Sequence, residues 1–344
     1  YNQYSYRFFD AKIYSNIYNM DKKRQDLLNG WVTTLYSSKY TISPASSDAS
    51  FRNYYRIKSN KKSKIIMDAP PGKEPLGSFL DITKRLKDAD VNVPEIFEVN
   101  KKLGFVLMSD LGSDQYLDKL NDETVFCLYT DALDTIRKMQ SRTDTKNLKL
   151  FNTNELLSEM NLFRDWFLKQ ELQLDFKVSA SDFISECFQS VIKIILEIPT
   201  TFVHRDYHSR NLMVTETNNP GVLDYQDALI GPITYDLASL LKDCYVKWNE
   251  DLVERMIDSY YRRIRVTYSK MNLDEFIFWF DVTALQRHLK AIGIFSRLKH
   301  RDKKIQFMED IPRTYSYIHN TITKYSELED IKALLNDLDI NSKL

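Results

Sequence analysis

Apolar residues recur at helical spacing early in the chain: Leu27, Leu28, Trp31, Val32 and Leu35 predict an amphipathic helix within 21–40. Short strand-like runs come next at 54–58, 64–68 and 104–108, with 93–99 a further candidate around Pro94. Among them Phe79, Leu80, Ile82 and Leu86 mark one helix, so this part reads as a small sheet with a helix packed on it. After Asp114 the texture changes to long helical periodicities at 125–139, 155–167, 183–196, 252–264 and 276–298, interrupted by strand-like runs within 202–214 and 222–225. The pattern predicts an α+β protein, with a β-rich N-terminal part at 20–110 and a mainly helical part at 111–344. The change falls near Gly112, in a short polar stretch. Residues 1–19, rich in Tyr, Asn, Ser, Phe and Ile, differ in texture from the rest of the chain. They are expected to be a non-native leader or a loosely attached arm, with Met20 as the physiological start.

Composition narrows the function classes. Of 344 residues, 43% are hydrophobic and 28% charged, which describes a globular chain and excludes disorder and coiled coil. Lys plus Arg equals Asp plus Glu at 48 each, so no overall field would attract nucleic acid or an anionic membrane. Cys127, Cys187 and Cys244 are far apart, as expected of reduced thiols in a cytoplasmic protein, and no apolar run is long enough to span a bilayer. None of the eight glycines are spaced as GxG, which excludes a dinucleotide fingerprint and an ordinary kinase glycine loop. Gly72 and Gly77 have P-loop spacing, but Ser78 and Phe79 stand where lysine and Ser/Thr are required. His204 and His208 lie four apart with Arg205 after the first, so a zincin is not supported.

The chemistry concentrates in 202–225, an apolar run, a dense polar loop and a second apolar run. The loop reads HxDxxxxN, with Asp206 and Asn211, and Asp224 comes after an apolar pair. Phosphoryl transfer asks for this set, since its catalysis is mostly positioning and charge neutralisation. Asp206 is expected to act as general base, Asn211 and Asp224 to hold Mg²⁺ through hard oxygens, and Arg210 to neutralise charge on the transferred group. His204 is expected to brace the loop, and Asp236 to cap a helix or accept backbone N–H groups from the catalytic loop.

These residues resemble the aminoglycoside/choline phosphotransferase superfamily. Longer stretches narrow the likeness: SDASFRNYYR at 47–56, MDAPP at 67–71, LMSDLG at 107–112, HRDYHSRNLM at 204–213, LDYQDALIGPITYDLASLLKDCY at 223–245 and LQRHLKAIGIFSRL at 285–298. They resemble the bacterial anomeric kinases of N-acetylmuramate and N-acetylglucosamine, from about Met20 to Ile318. The resemblance implies a protein-kinase-like two-lobed fold and ATP-dependent phosphorylation of the sugar C1 hydroxyl to an α-1-phosphate. It further implies a cell-wall recycling role, in which the product passes to a sugar-1-phosphate nucleotidyltransferase. A monomer is expected.

On that likeness, Ser47, Asp48, Ala49, Ser50 and Phe51 occupy the place of the nucleotide loop, and adenine would meet Met108, Asp110 and Leu111. The strand at 65–68 lacks the usual kinase lysine; Arg52 is the candidate replacement, with Lys58 and Lys64 as alternatives. Ser109 and Asn53 depart from the narrower family, where glutamate and a second arginine are common. For the sugar, Glu159, Arg164 and Trp166 on one helix, Gln286, Arg287 and His288 on another, and His208 and Gln226 beside the catalytic aspartates offer hydrogen bonds and a flat apolar face. Two rival readings are a kinase of another small alcohol, such as choline, an aminoglycoside or a homoserine-like compound, and a catalytically inactive ligand sensor. The basic residues near the site argue against a polycationic aminoglycoside.

Overall fold

The computed structural model describes residues 22–47, 51–60, 62–175 and 178–343. The expected leader at 1–19 and the loop residues Asp48, Ala49 and Ser50 lie outside them. The described chain forms two compact units, one comprising the residues up to Lys84 together with Val93–Ser113, the other Arg85–Asn92 and the residues from Asp114 onward.

The first unit is an antiparallel five-stranded sheet of order β1-β2-β3-β5-β4: β1 (Thr41–Ser47), β2 (Asn53–Ser59), β3 (Lys62–Asp68), β4 (Ile96–Asn100) and β5 (Phe105–Ser109). Helix α1 (Lys22–Leu35) packs on it, because its Leu28 and Val32 recur four apart and meet Tyr55, Ile57, Ile66, Phe105 and Leu107. Trp31 stacks on Phe105 with ring centroids 5.5 Å apart. Helix α2 (Leu76–Asp88) comes after β3, and buries Phe79, Ile82 and Leu86. The polar run of β1 gave no strand signal. It is an edge strand whose register shifts between Pro44 and Ser46, where proline's missing N–H costs least. The fourth strand begins at Ile96, three residues into the expected run, since Pro94 cannot donate to a ladder.

The second unit is mainly helical. Its helices are α3 (Tyr116–Lys119), α4 (Val125–Arg142), α5 (Thr153–Leu162), α6 (Val178–Glu197), α7 (Tyr235–Leu241), α8 (Glu250–Ile264), α9 (Leu273–Asp302), α10 (Ile311–Lys324) and α11 (Glu329–Asp337). Two small antiparallel pairs complete it: β6 (Thr200–Val203) with β9 (Leu229–Pro232), and β7 (Leu212–Met213) with β8 (Gly221–Val222). The periodicity expected to run as one helix over 155–167 instead passes from α5 into a π-helical segment, Phe163–Glu171. Helix α9, 30 residues long, is the spine of this unit. Asn272 caps its start by accepting the Glu275 N–H at 2.8 Å, and Lys299, His300 and Arg301 face the negative end of its dipole. Around it pack α5, the π segment, α6, α7, α10 and the 3-10 turn before α10, which explains why it is buried on nearly every side. Gly293 permits the tightest of these contacts, since a Cβ there would stand 2.3 Å from the Leu162 carbonyl carbon, where α5 turns into the π segment. No helix among the described residues is long and apolar enough to cross a membrane.

Candidate active site

Strand β6 is apolar and buried up to Val203, and the chain then enters the polar loop with a left-handed residue, Arg205, at φ 82°. A non-glycine residue holds that conformation only when its surroundings fix it. Asp236, in the first turn of α7, does so by accepting the backbone N–H groups of His204 at 2.8 Å and Arg205 at 3.1 Å. Burial pushes the Asp236 carboxyl up to about 7, opposed by those two donors. His204 is wholly enclosed. Its Nε2 donates to the Leu223 carbonyl at 2.9 Å while its Nδ1 accepts the Asp206 N–H at 3.3 Å, and burial lowers its pKa to about 4. It is therefore a neutral brace between the loop and the next strand. Asp243 adds a third tie, accepting both the N–H and the hydroxyl of Ser209 at 2.9 and 2.6 Å.

So held, the loop brings three side chains together. The Asn211 amide nitrogen donates to the Asp206 carbonyl at 2.9 Å and lies 3.4 Å from Asp224 Oδ2. Asp224 is also left-handed, at φ 62°, which ends the strand expected over 222–225 after Val222 and turns the carboxylate back toward Asn211. Gln226 donates to Asp224 Oδ1 at 2.6 Å. The Asn211 Oδ1 accepts no hydrogen bond among the described residues. With the carboxylate of Asp224 it forms a hard-oxygen donor set suited to Mg²⁺. Among the described residues no group of three or more His, Cys, Asp or Glu side chains could hold a metal ion alone, so a cation would need further oxygens from a bound phosphate.

The Asp206 carboxylate faces α9. Lys290 Nζ lies 3.8 Å from Asp206 Oδ1 and 3.3 Å from Glu159 Oε1, and Glu159 also pairs with Arg205 and accepts from Gln286 Nε2 at 2.9 Å. Burial alone would raise the Asp206 carboxyl, but Lys290, His208, Arg205 and Arg287 together hold it below the usual carboxylate range. Arg205 and Lys290 were not among the residues singled out from the sequence. The signal for Lys290 was its spacing of four and three from Gln286 and Arg287, which sets all three on adjoining parts of one helix face.

The remaining candidates separate. Glu159 and Gln286 are buried and bonded to each other behind the Asp206 carboxylate, so they support the site from beneath. Arg287 is buried with its guanidinium 5.4 Å from the Tyr235 ring centroid. His208 stands edge-on to Tyr245, and the Arg210 guanidinium lies 3.8 Å over the same ring. His288 does not face this cluster: it stacks on Tyr317 at 4.9 Å, its Nε2 donates to the Lys242 carbonyl, and burial drives its pKa down to about 3. Arg164 is engaged by its neighbour Asp165 through bonds of 2.9 and 3.0 Å, and Trp166 is half-buried within the π segment; neither joins the Asp206 cluster.

In the first unit, Phe51 is exposed, and its N–H lies 3.4 Å from Glu74. Buried Arg52 pairs with the same Glu74 at 3.1 Å. Lys58 is exposed and the Lys64 ammonium sits over Phe97. Ser47 ends β1. Met108 is buried in β5, and Leu111 lies just past the strand. Asp110 accepts two bonds from Arg56, at 2.6 and 3.0 Å, and the Gly112 N–H at 3.0 Å, so its carboxylate ties the segment after β5 to β2. Arg24 of α1 pairs with Asp68 at the end of β3 and covers Phe105, a cation that no sequence motif marked.

With this geometry in place, the chain was compared with known proteins. Residues 41–272 match the model of the phosphotransferase enzyme family. A protein from Pseudomonas aeruginosa named N-acetylmuramate/N-acetylglucosamine kinase is 38% identical over 299 residues, covering 86% of this chain and 88% of the relative. Relatives with the same name from Pseudomonas putida and Neisseria meningitidis are 37% and 36% identical, covering 94% and 92% of this chain and 96% of each relative. Among solved structures, an ADP-bound aminoglycoside phosphotransferase superposes with a TM-score of 0.59 at 14% identity, covering 87% of this chain and 98% of that one. A Plasmodium vivax ethanolamine kinase superposes at 0.59 and 12% identity, covering 86% of this chain and 93% of that one. Such low identities show the protein-kinase-like fold alone.

Proposed function

Since the chain belongs to the phosphotransferase enzyme family and, within it, to the N-acetylmuramate/N-acetylglucosamine kinases, we propose that it moves the terminal phosphoryl group of ATP to the anomeric C1 hydroxyl of these two sugars, with Asp206 as general base. It is an ATP-dependent sugar kinase. The C1 oxygen forms the new bond to phosphorus, the bond from phosphorus to the bridging oxygen of ATP breaks, ADP leaves, and the hydroxyl proton passes to Asp206. A hemiacetal hydroxyl is more acidic than an ordinary alcohol, so a carboxylate held ionised by Lys290 and its neighbours suffices to orient it and take its proton.

The observation that carries this reading is the Asn211 amide, which touches both the Asp206 main chain and the Asp224 carboxylate. It sets the base at a fixed reach from the oxygens of Asn211 and Asp224, which would hold Mg²⁺. That ion, when bound, supplies neutralisation of the phosphate charge. Arg210, which rests on Tyr245, would add positive charge to the transferred group. Glu159 and Gln286 hold Arg205 and Lys290 in place, and His208 and Gln226 border the acceptor. In the first unit, residues 47–51 and the segment from Met108 to Leu111 would receive the nucleotide, with Asp110 acting as a brace. The cationic surroundings of Asp206 disfavour an acceptor bearing several ammonium groups.

We further propose that the enzyme works as a cytoplasmic monomer and that its sugar 1-phosphate is consumed by a nucleotidyltransferase. The reaction is tested by phosphorus NMR of the product formed from ATP and either sugar. A phosphate coupled to the anomeric proton is expected; a 6-phosphate, or no ATP consumption with either sugar, would refute the assignment.

A further inference from the structure

The cations around Asp206 are unequally matched. Arg205 and Lys290 are both engaged by Glu159. Arg210 is half-buried and rests on Tyr245 and Phe307. Arg287 is different. It is 7% exposed, it lies against the Tyr235 ring, and among the described residues none of its N–H groups has a hydrogen-bond partner and no carboxylate lies within ion-pair distance. Its Nε is fully enclosed. A guanidinium carries five donors in a fixed fork, and enclosing one without a partner is costly unless a ligand completes it. His208 repeats the pattern, with an enclosed Nδ1 that bonds to nothing among the described residues.

Position then says which ligand. Asp206 turns its main-chain carbonyl toward Asn211 and its carboxylate toward Lys290 on α9. The acceptor hydroxyl must lie within hydrogen-bond reach of that carboxylate, so side chains on this face of α9 border the acceptor, whereas Asn211 and Asp224 border the phosphates. Two of these cations, Arg210 and Arg287, lack an ion pair among the described residues, and two anions have to be met: the phosphoryl group and, for one of the two sugars, a carboxylate. We propose that Arg287 receives the lactyl carboxylate of N-acetylmuramate through a forked pair of hydrogen bonds, and so sets the preference for this acid over neutral N-acetylglucosamine. This rests on the acceptor reading above and adds the group that discriminates between the two acceptors. A buried forked site loses much of its affinity when the matching carboxylate is removed, because the arginine is left unpaired again.

The test is the ratio of kcat/KM for N-acetylmuramate to that for N-acetylglucosamine, measured on the full chain and on Arg287→Met and Arg287→Lys. The ratio is expected to fall at least tenfold in Arg287→Met and less in Arg287→Lys, whose ammonium keeps the charge and loses the fork. An unchanged ratio overturns the proposal, whether both activities drop together, as they would if Arg287 served the phosphoryl group, or neither does. A measurement on the unaltered protein covers the case in which the variants do not fold: the carboxamide of N-acetylmuramate, neutral and nearly the same shape, should bind at least tenfold more weakly than the acid. Equal binding overturns the proposal. If the unaltered protein phosphorylates neither sugar, the kinase reading falls and this one with it; turnover of both with an unaltered ratio removes this one alone.

Discussion

Asp206 turns its main-chain carbonyl to the Asn211 amide and its carboxylate to Lys290, so on the proposed assignment its two ends do separate work. Asp206→Asn keeps the shape and removes the proton acceptor; turnover should fall by about 10²–10⁴-fold while the thermal midpoint stays within a few degrees. Near-native turnover would remove Asp206 as the base. Asp224→Ala should cost at least as much, and chelation of divalent ions should abolish activity in the unaltered enzyme; activity that survives a strong chelator would argue against a metal held by Asn211 and Asp224. That Asp206, Asn211 and Asp224 would come together was legible in the sequence, from an HxDxxxxN loop followed by an aspartate after an apolar pair. Lys290 and Arg205 were not, since an ion pair with Glu159 joins residues more than forty positions apart.

At the scale of elements, the placement of Arg287 and Lys290 depends on α9 and on the contact between Gly293 and the start of the π segment. Gly293→Ala forces backbone against backbone and should destabilise by about 1–3 kcal/mol, lowering the melting midpoint by several degrees. A midpoint equal to that of the unaltered protein would mean the helices can part at no cost. Glu159→Gln leaves Arg205 and Lys290 without their shared carboxylate in a buried place, and is expected to cost about 3 kcal/mol in urea denaturation. The long periodic helices could be read from the sequence, because one face of each is apolar. The edge strand β1 could not, since Ile42 is its one large apolar residue and Pro44 interrupts it, and neither could the π segment, whose residues have no periodicity of their own. The expected helix over 155–167 stays helical but changes to π winding at Phe163, where its backbone lies against Gly293.

For the whole molecule, two enclosed histidines couple folding to acidity. Burial lowers His204 to about 4 and His288 to about 3. An unfolded histidine protonates near 6.5, so below that pH the unfolded chain binds protons that the native chain refuses. The stability tied to both residues is complete above roughly pH 6.5 and drains away as the pH falls toward 4, by on the order of 2 kcal/mol for each histidine at pH 5. Asp236, raised to about 7, gains a proton in the native state over the same range and offsets part of that loss, so the test compares the change in urea midpoint from pH 7.5 to pH 5 in the unaltered protein with that in His288→Asn; an equal change in both would show that this imidazole accepts protons in the native state. That the chain holds a β-rich part and a helical part was legible from the change of period near Gly112. The return of 85–92 to the helical unit was not, because α2 carries a single uninterrupted apolar stripe across the division.

The close seating of Gly293 on Leu162 also constrains how this enzyme could acquire a new acceptor. With the two backbones in contact, α9 has no slack to slide or roll, and a differently shaped sugar has to be accommodated by exchanging side chains at fixed anchor points. A combinatorial library that varies 208, 226 and 287 while retaining glycine at 293 should therefore return folded enzymes with altered tastes, whereas one that also varies 293 should return mostly insoluble protein.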